Sequence, residues 1–162
     1  MGHDVKLGHR DATLVVSKRV PVRLSEIGGA IGRAFGEVYG YLGAQGIASD
    51  GPPFVIYHGA PQGDEPFDIE VCAPVPRAVD PPAGWRTVEL PAGAFVTLLH
   101  VGPYDSVGAA YETLTEWIGS HELAIAGPPR EVYLSEPDTP PDLIRTVVEF
   151  PVTEVRATVA TA

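Results

Sequence analysis

The chain contains an internal repeat, which is revealed by aligning the sequence with itself at an offset of 76 residues. Gly51-Pro52-Pro53 returns as Gly127-Pro128-Pro129, and Tyr57 returns as Tyr133. Nine identities fall without a gap between residues 24 and 61; the other pairs are Gly32/Gly108, Ala34/Ala110, Gly43/Gly119, Ala48/Ala124 and Pro61/Pro137. Glycine and proline are abundant here, so chance is the alternative, but apolar pairs such as Ile31/Val107 keep the same register. Two copies are too few for a solenoid, so the repeat predicts one domain made of two related halves.

Each half is predicted to be a strand–helix–strand–strand module. Apolar residues recur at three- and four-residue spacing between 25 and 43 and again between 107 and 119, which predicts one amphipathic helix per half. Ser25 is the candidate N-cap of the first helix, and Asp105 or Ser106 is the candidate for the second. The predicted strands are 13–18, 54–58 and 67–73 in the first half, and 94–101, 131–134 and 145–150 in the second.

The predicted fold class is therefore α+β, with tandem modules related by pseudo-twofold symmetry, an antiparallel sheet and two main helices. The domain is expected to span residues 13–152, with halves at about 13–75 and 92–152. The segment Pro76 to Pro91 is rich in proline and alanine and carries a candidate edge strand at Arg86 to Leu90. Residues 1–12 and 153–162 are predicted to be tails.

Composition and charge narrow the classes of function. A chain of 162 residues with 44% hydrophobic residues and 20% charged residues is typical of a packed globular domain. The net charge of −10 opposes direct binding to nucleic acid, although solubility explains the same charge. No apolar run approaches the ~18 residues needed to span a bilayer, and no secretion signal is present, so we expect a cytoplasmic protein without a membrane partner.

No cofactor or metal is expected from the motifs. The chain lacks a Walker loop, a dinucleotide fingerprint and a nucleophile elbow. His58 and His100 lie far apart without a third ligand at useful spacing, so a structural role is favoured for both. Cys72 follows Asp68 and Glu70 on what alternation makes the polar face of its strand, and we expect it to be inert.

An ordered set of short motifs over residues 13–152 resembles the GyrI-like family, the effector-binding domains of bacterial transcription activators. The motifs are Tyr57-His58-Gly59, Glu70-Val71-Cys72-Ala73-Pro74-Val75, Leu90-Pro91-Ala92-Gly93, His100-Val101-Gly102-Pro103-Tyr104, Ala110-Tyr111 with Leu114 and Trp117-Ile118, Pro129-Arg130-Glu131-Val132-Tyr133, and Arg145-Thr146 with Pro151-Val152. The resemblance implies a small-molecule cleft between the two modules, walled by aromatic residues and holding one buried acid, which maps to Glu131. Val147 departs from the family, which often has an acid there, and Glu149 lies two residues on. The chain has no room for the family's helix-turn-helix, which favours a stand-alone binder.

Glu131 also stands out within the repeat, because its counterpart in the first half is Val55. A position that one half fills with valine is expected to face the core or a cleft, where a carboxylate is costly unless it is compensated. Strand alternation places Glu131 and Tyr133 on one face. The alternatives are that Glu131 pairs with Arg130 or Arg145, or that it faces water.

The candidate ligand-binding residues are one acidic residue and six aromatic residues near the predicted cleft. They are Glu131, Tyr133, Tyr57, Tyr104, Trp117, Phe35 and Tyr111. Core packing is the alternative role for Phe35 and Tyr111, which are repeat counterparts on the two helices.

The leading hypothesis is reversible binding of amphipathic, often cationic or aromatic small molecules, with Glu131 as the acidic anchor. One alternative is a hydrolase of reactive cyclopropane-type alkylating compounds, in which Glu131 and Tyr57 are catalytic. Another alternative is an interaction with a protein partner, either gyrase or a regulator. The sequence leaves the ligand and the oligomeric state open.

Overall fold

The computed structural model describes residues 4–59, 63–136 and 138–154. Pro61, Pro137 and residues 155–162 of the predicted C-terminal tail lie outside this range. The chain divides into two compact units. The first module is Ala12–Pro91, and the second module combines Met1–Asp11 with Ala92–Ala162. No helix in the described part of the chain combines the length and hydropathy needed to cross a lipid bilayer.

The first module packs one helix on a four-stranded antiparallel sheet. Its elements are β2 (Thr13–Val22), α1 (Ile27–Ala44), β3 (Phe54–Tyr57), β4 (Phe67–Pro74) and β5 (Trp85–Leu90). The strands are hydrogen-bonded in the order β3, β4, β2, β5. The buried stripe of α1 contains Ala30, Ala34, Val38 and Leu42, at the three- and four-residue spacing that places side chains on one helix face.

The second module repeats this arrangement and adds two strands. Its elements are β1 (Lys6–Arg10), β6 (Gly93–Val101), α2 (Gly108–Ser120), β7 (Leu123–Ile125), β8 (Arg130–Tyr133) and β9 (Arg145–Glu154). The antiparallel order is β1, β6, β9, β8, and β7 pairs with the end of β9. The core combines Ala110, Leu114 and Ile118 of α2 with Val96, Leu98, Val148, Phe150 and Val152 of β6 and β9.

The structure confirms the α+β class and the strand–helix–strand–strand order of both modules. The repeat extends to individual hydrogen bonds. The amide of Asp50 donates to the carbonyl of Pro74 at 3.1 Å, and the amide of Ala126 donates to the carbonyl of Pro151 at 2.7 Å. The two bonds are repeat counterparts because the sequence gains one residue between the third and fourth elements of the second module.

The predicted N-caps are wrong. A 3-10 turn at Leu24–Glu26 precedes α1, and Ser25 uses its backbone amide and hydroxyl to bind the Asp64 carboxylate instead. A second 3-10 turn at Tyr104–Ser106 precedes α2, which has no side-chain cap. In both places the tighter turn shifts the start of the α-helix past the residue whose side chain was expected to cap it.

Two of the observed strands, β1 and β7, were not predicted from the sequence. Residues 6–10, assigned to the N-terminal tail, form β1 and pair with β6 from Lys6↔Thr97 to Arg10↔Gly93. All five residues of β1 are exposed, so the strand has no alternation of apolar side chains and its pairing rests on backbone hydrogen bonds. The three-residue strand β7 also lacks a periodic pattern of apolar residues in the sequence.

The polar face expected on β4 is buried. Glu70 and Cys72 are 1% and 0% exposed. One oxygen of the Glu70 carboxylate accepts hydrogen bonds from Ser17 Oγ at 2.6 Å and from Arg86 Nη2 at 3.0 Å. The other oxygen lies 2.7 Å from His58 Nε2. The alternation of side chains in β4 therefore separates two buried faces, not a buried face from a solvent-exposed one. The charge of Glu70 can be buried because three polar partners compensate it.

Candidate ligand site around Glu131

Glu131 lies in β8 with its side chain directed at α2. The residue is 6% exposed, which rules out the alternative that it faces water. Its carboxylate accepts one hydrogen bond from the hydroxyl of Tyr111 in α2 at 2.6 Å and another from the hydroxyl of Tyr133 at 3.1 Å. Glu131 and Tyr133 share a face because they are two residues apart in a strand, as the sequence predicted. The structure adds Tyr111 as the third member of the cluster.

Tyr104 extends this cluster toward solvent. Its ring meets the ring of Tyr133 edge to face, with centroids 5.8 Å apart and planes at 84°. The side chain is 49% exposed. Partial burial and, second, the negative charge of Glu131 raise the pKa of the Tyr104 phenol. Glu131 therefore acts electrostatically on a partly exposed aromatic residue.

The chain reverses before Tyr104 through Gly102, whose φ of 139° lies outside the range that other residues adopt readily. The amide of Gly102 donates to the carbonyl of Ile144 at 2.8 Å, which ties the turn to the segment before β9. The glycine thus allows the sharp turn that brings Tyr104 beside Tyr133.

Tyr111 has the core-packing role that the sequence left open, while a ligand-binding role stays a prediction. Its ring packs on the core of the second module and meets Phe150 edge to face, with centroids 5.9 Å apart. Its hydroxyl reaches Glu131. The core holds the ring in place, so the phenol can fix the position of the carboxylate.

The remaining candidates are Trp117, Tyr57 and Phe35. Trp117 is half-buried near the C-terminal end of α2 and stacks on His121 with centroids 3.7 Å apart. Tyr57 and Phe35 belong to the first module, in β3 and α1, and are both half-buried. Phe35 lies 6.1 Å from Tyr39 between ring centroids. A ligand-binding role for these three residues stays a prediction.

Arg130, one of the proposed partners of Glu131, packs its guanidinium over the Phe95 ring at 4.7 Å from the centroid. Adjacent residues of a strand point to opposite faces, so Arg130 and Glu131 leave β8 on different sides. Arg145 is exposed at the start of β9. These positions favour the tyrosines, rather than the neighbouring arginines, as the groups that orient Glu131.

Thr146, which is not among the predicted site residues, lies opposite Tyr133 in the β8–β9 pairing. Thr146 is 0% exposed, and its hydroxyl oxygen has no hydrogen-bond partner within the described residues. In the sequence, Thr146 belonged to a predicted strand and to the Arg145-Thr146 motif, and neither singled it out as a site residue. The pairing register was needed to bring it beside Tyr133.

The cluster combines one carboxylate with the rings of three tyrosines. The two phenol hydroxyls orient the carboxylate without adding a charge of their own. Aromatic faces attract cations in addition. No group of three potential metal ligands exists in the ranges that the structure covers.

Residues 3–153 match the family model of the GyrI-like small molecule binding domain. The chain therefore belongs to the GyrI-like family and is a small-molecule-binding domain. No curated protein matches it.

Solved structures show the same fold. The C-terminal domain of EcmrR is 24% identical, with a TM-score of 0.79, and the match covers 96% of this chain and 100% of that domain. EcmrR in a complex with DNA is 26% identical, with a TM-score of 0.84 and 94% of this chain covered, and this chain spans 58% of that EcmrR chain. SAV2435 bound to tetraphenylphosphonium is 15% identical, with a TM-score of 0.63, covering 93% of this chain and 94% of that one.

Proposed function

We propose that this domain binds amphipathic organic cations, with Glu131 as the charged anchor and tyrosine rings as the wall of the site. The observation that carries the proposal is a nearly buried carboxylate that two phenols orient beside the half-exposed Tyr104. Binding of this kind serves to sequester a toxic cation or to report its presence.

The energetics favour a cation over a neutral ligand. A charge pair is stronger in a site of low dielectric than in water, and each well-placed aromatic face adds roughly 0.5–2 kcal/mol of cation–π attraction. An apolar body of the ligand would gain further from burial. A neutral ligand of the same shape lacks the first two contributions.

The relatives support this choice of ligand. SAV2435, which shares the fold, was solved with tetraphenylphosphonium, a lipophilic cation. EcmrR was solved on DNA, which supports a reporting role for proteins that carry such a domain. That the ligand lies between the two modules stays a prediction from the sequence.

Calorimetry with two ions of nearly the same shape tests the proposal. We expect wild-type protein to bind tetraphenylphosphonium and to bind the anion tetraphenylborate far more weakly. Glu131→Gln should weaken binding of the cation at least about tenfold, which corresponds to 1.4 kcal/mol of binding free energy. It should also narrow the difference in affinity between the two ions. Glu112→Gln is the matched control, because Glu112 is exposed and adjacent to Tyr111 in α2.

Two results would contradict the proposal. One is equal binding of both ions to the wild-type protein. The other is an equal loss of cation affinity in Glu131→Gln and Glu112→Gln, which would assign the effect to net charge rather than to the anchor.

The fate of the ligand separates binding from hydrolysis. Reversible binding predicts that a cyclopropane-bearing electrophile is recovered intact after incubation. Turnover to a ring-opened product, lost in Glu131→Gln, would favour the hydrolase instead. Product analysis by mass spectrometry distinguishes the two.

A further inference from the structure

The hydroxyl of Thr146 is a buried polar group without a partner in the described part of the chain. Buried hydroxyls are normally hydrogen-bonded, because leaving one unpaired forfeits its interaction with water. The Thr146 hydroxyl therefore leaves a hydrogen-bonding position open to a group from outside the described residues.

The two cross-strand neighbours of Thr146 direct their polar atoms elsewhere. His100, opposite Thr146 in β6, places Nε2 3.1 Å from the carbonyl of Pro103 and 3.0 Å from Ser106 Oγ. Tyr133, opposite Thr146 in β8, donates its hydroxyl to Glu131. Residues paired across strands share a face, so Thr146 lies on the same face as Tyr133 and Glu131.

Packing does not require a hydroxyl at this position. The counterpart of Thr146 in the first module is Ile69, because Tyr57 pairs with Ile69 as Tyr133 pairs with Thr146. Ile69 is 0% exposed. At two neighbouring positions of one face the second module thus carries a polar residue where the first carries a buried aliphatic one, Glu131 against Val55 and Thr146 against Ile69.

We propose that Thr146 is a second polar anchor of the ligand site, which selects cations that carry a hydroxyl, amine or carbonyl group at a set distance from the charge. Diagonal neighbours on a sheet face lie about 7–8 Å apart, so this group and the positive charge are expected to be separated by several ångströms. The inference rests on the proposed role of Glu131 as the anchor of the charge.

Matched phosphonium probes test the inference by calorimetry. The probes are tetraphenylphosphonium, which has no hydrogen-bonding group, and the three positional isomers of hydroxyphenyl-triphenylphosphonium. We expect Thr146→Val to lower the affinity for at least one isomer about 3- to 10-fold, while the affinity for tetraphenylphosphonium changes less than about twofold. Thr146→Ser keeps the hydroxyl and should retain the affinity for that isomer.

Thr97→Val is the control. Thr97 lies in β6 opposite Glu149, on the other face of the sheet, and should leave all four affinities unchanged. Thr146→Val should also unfold at a higher temperature than the wild type, because it removes a buried hydroxyl that no described residue pairs with. Thr146→Ala provides a second apolar substitution if valine disturbs the packing.

The two proposals fail in different ways. If tetraphenylphosphonium does not bind the wild-type protein, the Glu131 anchor is wrong. The other outcome is that tetraphenylphosphonium binds in a Glu131-dependent manner while Thr146→Val and Thr146→Ala change the affinities for all four probes equally. In that case the second anchor is wrong and Thr146 is only a packing residue.

Discussion

Glu131 and Val55 occupy equivalent positions of the two modules, and each pairs with a valine of the following strand, Val148 and Val71 respectively. Both positions are buried, at 6% and 0% exposure. One backbone arrangement thus accepts an aliphatic side chain in the first module and a carboxylate in the second, where Tyr111 and Tyr133 supply hydrogen bonds. The duplicated scaffold therefore does not require the acid, which is consistent with a role in binding.

The hydrogen bond between Tyr111 and Glu131 should be measurable as a coupling energy. A double-mutant cycle of Tyr111→Phe and Glu131→Gln, followed by urea unfolding, should give about 1–2 kcal/mol, because bonds to charged acceptors are stronger than neutral ones. The cycle of Tyr133→Phe with Glu131→Gln should give less, since that bond is 3.1 Å rather than 2.6 Å long. A larger coupling for Tyr133 would reverse the assignment of the principal donor.

Glu70 should make the protein sensitive to acid. Burial alone raises the pKa of this carboxyl, but hydrogen bonds from Ser17, His58 and Arg86 outweigh burial, so its pKa is lowered overall. The unfolded chain then takes up the proton at a higher pH than the folded protein does. The contribution of Glu70 is therefore complete above its unfolded pKa and is lost as the pH falls below about 4.3.

Urea unfolding at a series of acidic pH values checks this expectation. Glu70→Gln should show a flatter decline of the free energy of unfolding over that range than the wild type. Glu89→Gln, an exposed residue of β5, should decline like the wild type. Identical curves for all three proteins would show that Glu70 does not control acid stability.

The ion pair of Arg10 with Glu149 should make β1 part of the stable fold. Glu149 is 0% exposed and pairs with the guanidinium of Arg10. Arg10→Met leaves a buried carboxylate without this partner and should cost about 3 kcal/mol of unfolding free energy. Replacing both residues by methionine should recover most of the loss, because no buried charge remains.

The exposed pair of Arg19 with Asp68, 3.0 Å apart, is the control for this experiment. Arg19→Met should change stability by less than about 1 kcal/mol, because solvent screens exposed ion pairs. A cost for Arg10→Met no larger than that of Arg19→Met would mean that β1 contributes little to folding.

Two glycines of α1 are sites where alanine should stabilise the protein. Gly36 and Gly40 are exposed, and an added Cβ meets no atom within 4 Å. Each Gly→Ala change should add about 0.5–1 kcal/mol, because alanine loses less backbone entropy in a helix. Gly102→Ala should have the opposite effect, since φ is 139° there. Thermal unfolding of the three variants measures the expected gain in stability for Gly36→Ala and Gly40→Ala and the expected loss for Gly102→Ala.

Helices and central strands were predictable because local patterns encode them. The stripe of α1 and the strand at β8 follow from periodicity within a few consecutive residues, and Gly-Pro-Pro turns mark where the following strands begin. Ser25 failed as a cap because its hydroxyl binds Asp64, a residue far along the chain. β1 was missed because its side chains are all exposed and carry no periodic signal.

The sequence by itself determined the duplicated α+β modules and the shared face of Glu131 and Tyr133, because helix and strand periods act over neighbouring residues. Only the tertiary structure decided that Tyr111 meets Glu131, that Arg10 meets Glu149 and that Thr146 lies beside Tyr133 with no hydrogen-bond partner among the described residues. These contacts depend on strand register and on the packing of α2, which join residues distant in the chain and leave no local pattern in the sequence.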